Sequence, residues 1–270
     1  MTALEYALKR DRLIVVAGLS AVVALSAVYT VTGIGMNMSA VGMTRMAIEM
    51  PGMAMAPAEW TGGYALMMFL MWWIMMVAMM VPSAAPAVLF YANLARKGKR
   101  SAAPYGPAAA FLCGYLIAWA GFSLGATVLQ WGLVQAGAIS GMMQLVHGPA
   151  SAALLVVAGL YQLSPLKQAC LRHCQHPLVF LMHNWRPGAS GALRMGMRHG
   201  WFCLGCCWVL MALLFVGGVM NLFWIAGLAL FVGLEKIAAG RPWVTRISAG
   251  ALVAAGAGLW ILGPQSPPSP

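Results

Sequence analysis

The chain is poor in charge. Only 8% of its residues are Asp, Glu, Lys or Arg, and 62% are hydrophobic, where a soluble domain is about 25% charged. That leaves too little polar surface to coat a water-facing globule, so the sequence excludes a soluble fold and asks for a bilayer. It also lacks the short alternating segments of a transmembrane barrel. Its apolar runs are long and continuous, and backbone groups in hydrocarbon must be satisfied within the segment, so the spans are helices. Acids are scarce, five in all. No paired carboxylates, nucleophile–base pairing or Gly-rich phosphate loop emerges, which favours a non-catalytic role. No basic stripe with interleaved aromatics lies outside the apolar runs, which sets nucleic acid aside despite a formal charge of +11.

What is present is a sequence of apolar runs. The expected fold is all-α, a polytopic bundle of about seven spans in a single membrane domain, 1–270. The spans fall near 13–31, 64–90, 107–133, 149–163, 201–219, 222–234 and 247–262. The fourth and sixth are short for a bilayer. Pro82 and Pro86 should kink the end of the second. Glycines within spans allow close helix packing. The first, with its basic start, reads as a retained signal anchor. The Pro/Ser-rich tail from Gly263 reads as loose.

Loop charge gives an orientation. Fifteen of the sixteen cations fall at one side of this seven-span scheme, and Arg45 alone falls at the other. The positive-inside bias then places the N-terminus in the cytoplasm and the C-terminus outside, in a bacterial inner membrane. The same scheme puts a Met-rich loop, 32–63, outside and a Cys/His loop, 164–200, inside.

Five of the six cysteines cluster. In SPLKQACLRHCQHP, Ser164 can cap a helix, Pro165 suits its first turn and Pro177 stops it. Cys170 and Cys174 then share a face, with His173 beside it. In HGWFCLGCCW, Cys203, Cys206 and Cys207 share a face, and His199 lies one turn earlier. The two clusters sit at the inner ends of neighbouring spans. Two thiols from each would make a tetrahedral sulfur site suited to Cu(I) or zinc, with Arg172 and Arg198 to favour thiolates. A redox dithiol and inert buried packing stay open beside that reading. Cys113, alone in the third span, is expected to be packing.

Methionine is the other soft ligand, with 22 copies. The outer loop carries Met36, Met38, Met43, Met46, Met50, Met53 and Met55. The Met-x-Met pairs Met36/Met38 and Met53/Met55 suit an exposed Cu(I) site, since a thioether binds Cu(I) without losing a proton. The same loop could instead pack on the membrane as an amphipathic segment. Met68, Met71, Met75 and Met79 form a stripe on the second span, which serves as packing or as a conduit between the outer Met loop and the inner cysteines. Glu235 is the one acid in or near a span other than the first, and its neighbour Lys236 suggests a pair at the inner interface.

The stretches from Ala158 to Pro177 and from Gly196 to Lys236, with the MMVAMMVP run from Met75 to Pro82, resemble a bacterial domain-of-unknown-function family of predicted metal-binding integral membrane proteins. The resemblance covers about Gly63 to Gly250. It implies a multi-span inner-membrane protein whose Cys/His motifs bind metal, and it supplies no substrate. The Met-rich loop has no match in it, so the copper reading of that loop rests on chemistry. The expected function is Cu(I) handling: transport, delivery or assembly of a copper enzyme. The alternatives are a membrane thiol–disulfide oxidoreductase and a non-catalytic accessory subunit of a larger membrane complex. The expected partners are the lipid bilayer and a copper enzyme or membrane complex.

Overall fold

The structure, a computed structural model, describes residues 3–36, 38–49, 58–97, 105–146, 148–238 and 241–262. Among these it is helical throughout, with no strand beyond one isolated bridge between Ile139 and Leu145. The helices are α1 Ala3–Thr32, α2 Ala40–Glu49, α3 Gly62–Lys97, α4 Tyr105–Gln135, α5 Gly148–Gln162, α6 Pro165–Gln175, α7 Pro177–His183, α8 Gly188–Ala212, α9 Leu214–Gly217, α10 Leu222–Ile237 and α11 Pro242–Leu262.

Five stretches are long and apolar enough to cross a membrane: Arg12–Thr32, Gly62–Arg96, Tyr105–Gln135, Gly188–Gly217 and Trp243–Leu262. A sixth results if α5 and α6, bent by 64° at the Ser164–Pro165 junction, are taken together. The expected sixth span, 222–234, corresponds to α10, whose 16 residues extend about 24 Å at 1.5 Å per residue. That is less than the roughly 30 Å of bilayer hydrocarbon. Its ends are nevertheless far apart in their contacts. Leu222 N–H donates to Thr44 Oγ1 of α2 at 2.9 Å, whereas Lys236 at the far end reaches Ser83 of α3 and Glu235 reaches Lys167 of α6.

Two boundaries differ from the sequence reading. The stretch expected to begin a span at 201 is the second half of a helix that starts at Gly188. Arg194 and Arg198 do not stop it because they fall on its exposed side, while Gly191, Ala192, Met195, Gly196, His199 and Gly200 are buried at helical spacing. The expected loop 164–200 is therefore mostly helix. The outer stretch 32–63 likewise contains α2, which opens with the Gly42 N–H donating to Ser39 Oγ and is tied by an exposed Arg45–Glu49 pair. Met53 and Met55 lie outside the described residues.

Lipid tails are as apolar as leucine, so helices in a bilayer gain little from hiding apolar surface and rely on close contact. Glycine supplies that contact here. A Cβ on Gly196 would lie 1.8 Å from the Phe111 carbonyl oxygen, and one on Gly114 would lie 2.0 Å from the Leu193 carbonyl oxygen. Helices α4 and α8 therefore touch backbone to backbone. Gly159 and Gly256 do the same for α5 and α11. The core on either side of the α4–α8 crossing holds Trp72, Trp119, Tyr91, Tyr115 and Phe111, all essentially inaccessible.

Replacing Gly196 with Ala should destabilise the protein by about 1–3 kcal/mol or more. Gly121→Ala, on the same α4 helix with open space around its Cβ, should stay within about 0.5 kcal/mol of the parent. Thermal midpoints in detergent check both, and equal midpoints for the two variants would remove the crossing from its central place.

Candidate metal centre

The close α4–α8 crossing decides what faces the cysteines. Gly200 of α8 sits against Tyr115 of α4. One turn on, the Tyr115 hydroxyl lies 3.1 Å from Cys203 Sγ and 3.2 Å from the Met80 carbonyl of α3. From the other side the Lys236 ammonium of α10 donates to Cys203 Sγ at 3.1 Å and to Ser83 Oγ at 2.7 Å. Cys203 thus stands at the meeting point of four helices, receives the Lys236 ammonium and lies beside the Tyr115 hydroxyl, which donates to the Met80 carbonyl. A donating ammonium is what a buried sulfur needs if it is to carry negative charge.

The other thiols gather around it. Helix α6 is opened by its Ser164 cap, which accepts from Lys167 N–H at 3.1 Å, and by Pro165 in its first turn. It lies along α8 so closely that a Cβ on Gly205 would come within 2.5 Å of Cys170 Sγ. This close approach packs Cys174 against the core cluster that holds Cys203, Cys206 and Cys207. The Cys206 and Cys207 thiols also donate to the Cys203 carbonyl, at 3.0 and 2.9 Å. Cys203, Cys206 and Cys207 are buried, and Cys170 and Cys174 are half-buried. All six cysteines are free, and Cys113 is exposed and apart from the others. The two sequence clusters therefore meet, with Cys170 at the margin. They meet deep in the bundle rather than at its inner rim, because α8 begins thirteen residues before the expected start at 201.

The two candidate histidines sit in different surroundings. His173 stacks flat on Phe202 with ring centroids 4.0 Å apart, and its Nδ1 lies 2.9 Å from the Ala169 carbonyl. His199 is buried among Phe111, Tyr115 and Phe180, and its Nδ1 has no hydrogen-bond partner among the described residues. The expected cationic helpers are elsewhere too. Arg172 is exposed, and Arg198 lies over the Phe202 ring at 5.9 Å. Lys236 takes the place they were given. Met36 packs half-buried against the core cluster that holds the thiols, while Met38 packs on Gly42 of α2. Met68, Met71, Met75 and Met79 are all buried in that same cluster.

A second polar assembly adjoins the thiols. The Lys167 ammonium donates to Glu235 Oε2 at 2.7 Å and also to Gln162 Oε1. Both charged side chains are inaccessible, and Glu235 Oε1 is left without a partner among the described residues. The sequence reading set Glu235 and Lys236 side by side at the inner interface. Adjacent residues point in different directions from a helix, so Glu235 turns to α6 while Lys236 turns to Cys203. Among the described residues no group of three or more His, Cys, Asp or Glu side chains stands ready to hold a metal ion. The Cys206 and Cys207 thiols are instead turned to the Cys203 backbone carbonyl.

Tyr115, Ser83 and Lys236 escaped the sequence reading. Tyr115 and Ser83 carry no ligand motif, and only the α4–α8 and α3–α10 packing reveals them. Lys236 had a signal, an ammonium one residue past the apolar run that ends FVGL, but that pattern also fits a helix end at the interface.

Compared with known proteins, residues 69–259 match a family model described as PpoB2, copper chaperone. No curated protein and no solved structure gives a significant match.

Lys167→Met leaves Glu235 as an uncompensated buried charge and should cost roughly 3–5 kcal/mol. Adding Glu235→Leu should recover most of that loss, because an apolar pair of similar volume replaces a buried ion pair at little cost. Thermal unfolding of both variants in detergent reads this. A double variant as unstable as the single would show that the pair is not a self-contained unit.

Proposed function

The chain belongs to the PpoB2 copper chaperone family, and from that premise we propose that it is a membrane-embedded Cu(I) chaperone whose cargo rests on the thiols of Cys174, Cys203, Cys206 and Cys207. One observation carries this reading: thiols from two helices converge in the bundle interior on a sulfur that already faces an ammonium. Thiolates are soft ligands and select Cu(I). Charge supports the same choice. Cu(I) on two thiolates carries one net negative charge, which Lys236 offsets, and an interior of low polarity demands such neutrality. Zn(II) on four thiolates would carry two, and the neighbouring Lys167 is already committed to Glu235. Cys170 at the margin and His199 beside Cys203, with its unpaired Nδ1, are further donors within the same neighbourhood.

The supply side is the Met-rich outer segment. Met36 packs on the thiol-bearing core, and the buried stripe of Met68, Met71, Met75 and Met79 runs through that core along α3. We read this stripe as the path between outer methionines, Met53 and Met55 among them, and the cysteines. The seven-span topology supports the direction. Helix α10 begins against α2 and ends against α6, so it connects the two ends of the bundle despite its length. With α10 counted, the cations fall on one side, which supports an N-terminus in the cytoplasm and a chain in an inner membrane. The recipient would be a copper enzyme or the assembly in which it sits.

The test is copper content. Protein purified with Cu(I) under reducing conditions should hold about one copper per chain on two or more soft sulfur donors. The Cys174→Ser/Cys203→Ser variant should retain less than about a tenth of that, with helical content unchanged. Equal copper in the double variant would sink the assignment. Cysteines that instead change their labelled number with oxidant and reductant, independently of copper, would favour the thiol oxidoreductase.

A further inference from the structure

A groove of about 650 Å³ opens on the bundle surface between α3, α6 and α10. Its floor is chemically unlike its rim. Cys174, Met79, Ser83 and Lys236 line it, among Ala78, Pro82 and other apolar residues. It therefore leads from the surface to Cys174 of the thiol cluster and touches the Met stripe only at its Met79 end. Helix α3 is locally unusual here. Pro82 and Pro86 lie inside it, and each lacks the N–H that would bond a carbonyl four residues earlier. Those carbonyls belong to Ala78 and Pro82, both of which line the groove. On the opposite wall Gly233 has open space where a Cβ would be, and Leu230 is well exposed. The groove is thus kept open by a proline-interrupted wall and a glycine. Its size falls within the roughly 300–1,000 Å³ range of small-molecule sites, and its few polar groups sit together on an otherwise apolar lining.

We infer that this groove is a docking site for a small anionic thiol that carries Cu(I), and that copper crosses between that carrier and Cys174 there. The inference rests on the copper reading of the thiol cluster. The class of ligand follows from the floor: a thiol to exchange with, a thioether beside it, and one ammonium with a hydroxyl to receive a carboxylate. The step balances without an oxidant. A Cu–S bond to Cys174 forms as one Cu–S bond to the carrier breaks, the proton leaving the Cys174 thiol goes to the carrier's sulfur, and copper stays Cu(I). Lys236 is a positioning residue in this step, since it holds both the carrier's charge and Cys203.

Filling and widening the groove tests the assignment in the full-length protein in detergent. Gly233→Phe places a ring in the open space, and Leu230→Ala enlarges the mouth. The first readout needs no copper: the rate at which N-ethylmaleimide labels Cys174 in reduced protein, by mass spectrometry, with exposed Cys113 as internal reference. Gly233→Phe should slow Cys174 at least tenfold and Leu230→Ala should speed it severalfold, with Cys113 unchanged in both. The second readout is Cu(I) uptake from its complex with N-acetylcysteine. Its rate should fall at least tenfold in Gly233→Phe while final copper content stays at the parent value. In the parent, the N-acetylcysteine complex should deliver several times faster than the complex with cysteamine, whose thiol carries a positive charge.

Unaltered labelling of Cys174 in both variants overturns the groove as the route. So does an equal slowing by Gly121→Phe, a substitution in a separate groove between α3 and α4. Equal delivery from the two thiols overturns the ligand class. The two readings fail separately. A parent that binds no copper, yet loses Cys174 labelling in Gly233→Phe, keeps the groove as a thiol site and removes the cargo. A parent that binds copper, with uptake indifferent to Gly233, does the reverse.

Discussion

Everything at the thiol cluster depends on α4 and α8 touching without side chains between them. At Gly114 and Gly196 the backbones are too close for even a methyl group. Because the helices meet there, Tyr115 reaches Cys203 and His199 is enclosed by aromatic rings. In a bilayer this contact has to be made by fit, since there is no water to drive the helices together. A protein that must hold three cysteines of one helix against a cysteine of another has few other means. The second close approach, Gly205 against Cys170, repeats the device one helix over. The two approaches fix α8 between α4 and α6 and leave its cysteine face no freedom to turn away.

The polar groups follow from that geometry and also constrain it. Lys167, Glu235 and Lys236 are buried in a bundle whose interior is otherwise uncharged and largely apolar among the described residues. Unpaired buried charges would destabilise it by several kcal/mol each. Lys167 and Glu235 answer this with each other, and Lys236 answers it with Ser83 and Cys203. The pairings join α10, the shortest of the expected spans, to α6 and α3. A helix too short and too exposed to be held by packing alone is thus held at its end by directed polar bonds.

Much of this was legible beforehand, and the boundary of legibility is physical. The all-helical class and the long apolar helices follow from runs that no soluble fold could cover. The α6 cap at Ser164 and its proline start were readable because capping is local chemistry. The five clustered cysteines could be singled out by spacing. Their depth could not, because Arg194 and Arg198 made 188–200 look like loop when they are the outer side of a helix. Nor could their neighbours be found. Tyr115 comes to Cys203, and Ser83 to Lys236, through packing between residues 88 and 153 positions apart in sequence. Nothing in a linear pattern encodes that pairing. His173 shows the same limit: helical spacing places it beside the cysteines, and only the fold shows its ring stacked on Phe202.

The ammonium of Lys236 also has an electrochemical meaning. A fixed positive charge 3.1 Å from a sulfur ligand, in surroundings of low dielectric, opposes any gain of positive charge on an ion bound to that sulfur. Loss of an electron from bound copper is such a gain. Were copper held there, the lysine would raise its reduction potential and favour the cuprous state, in which it neither generates oxygen radicals by cycling nor oxidises the thiols around it.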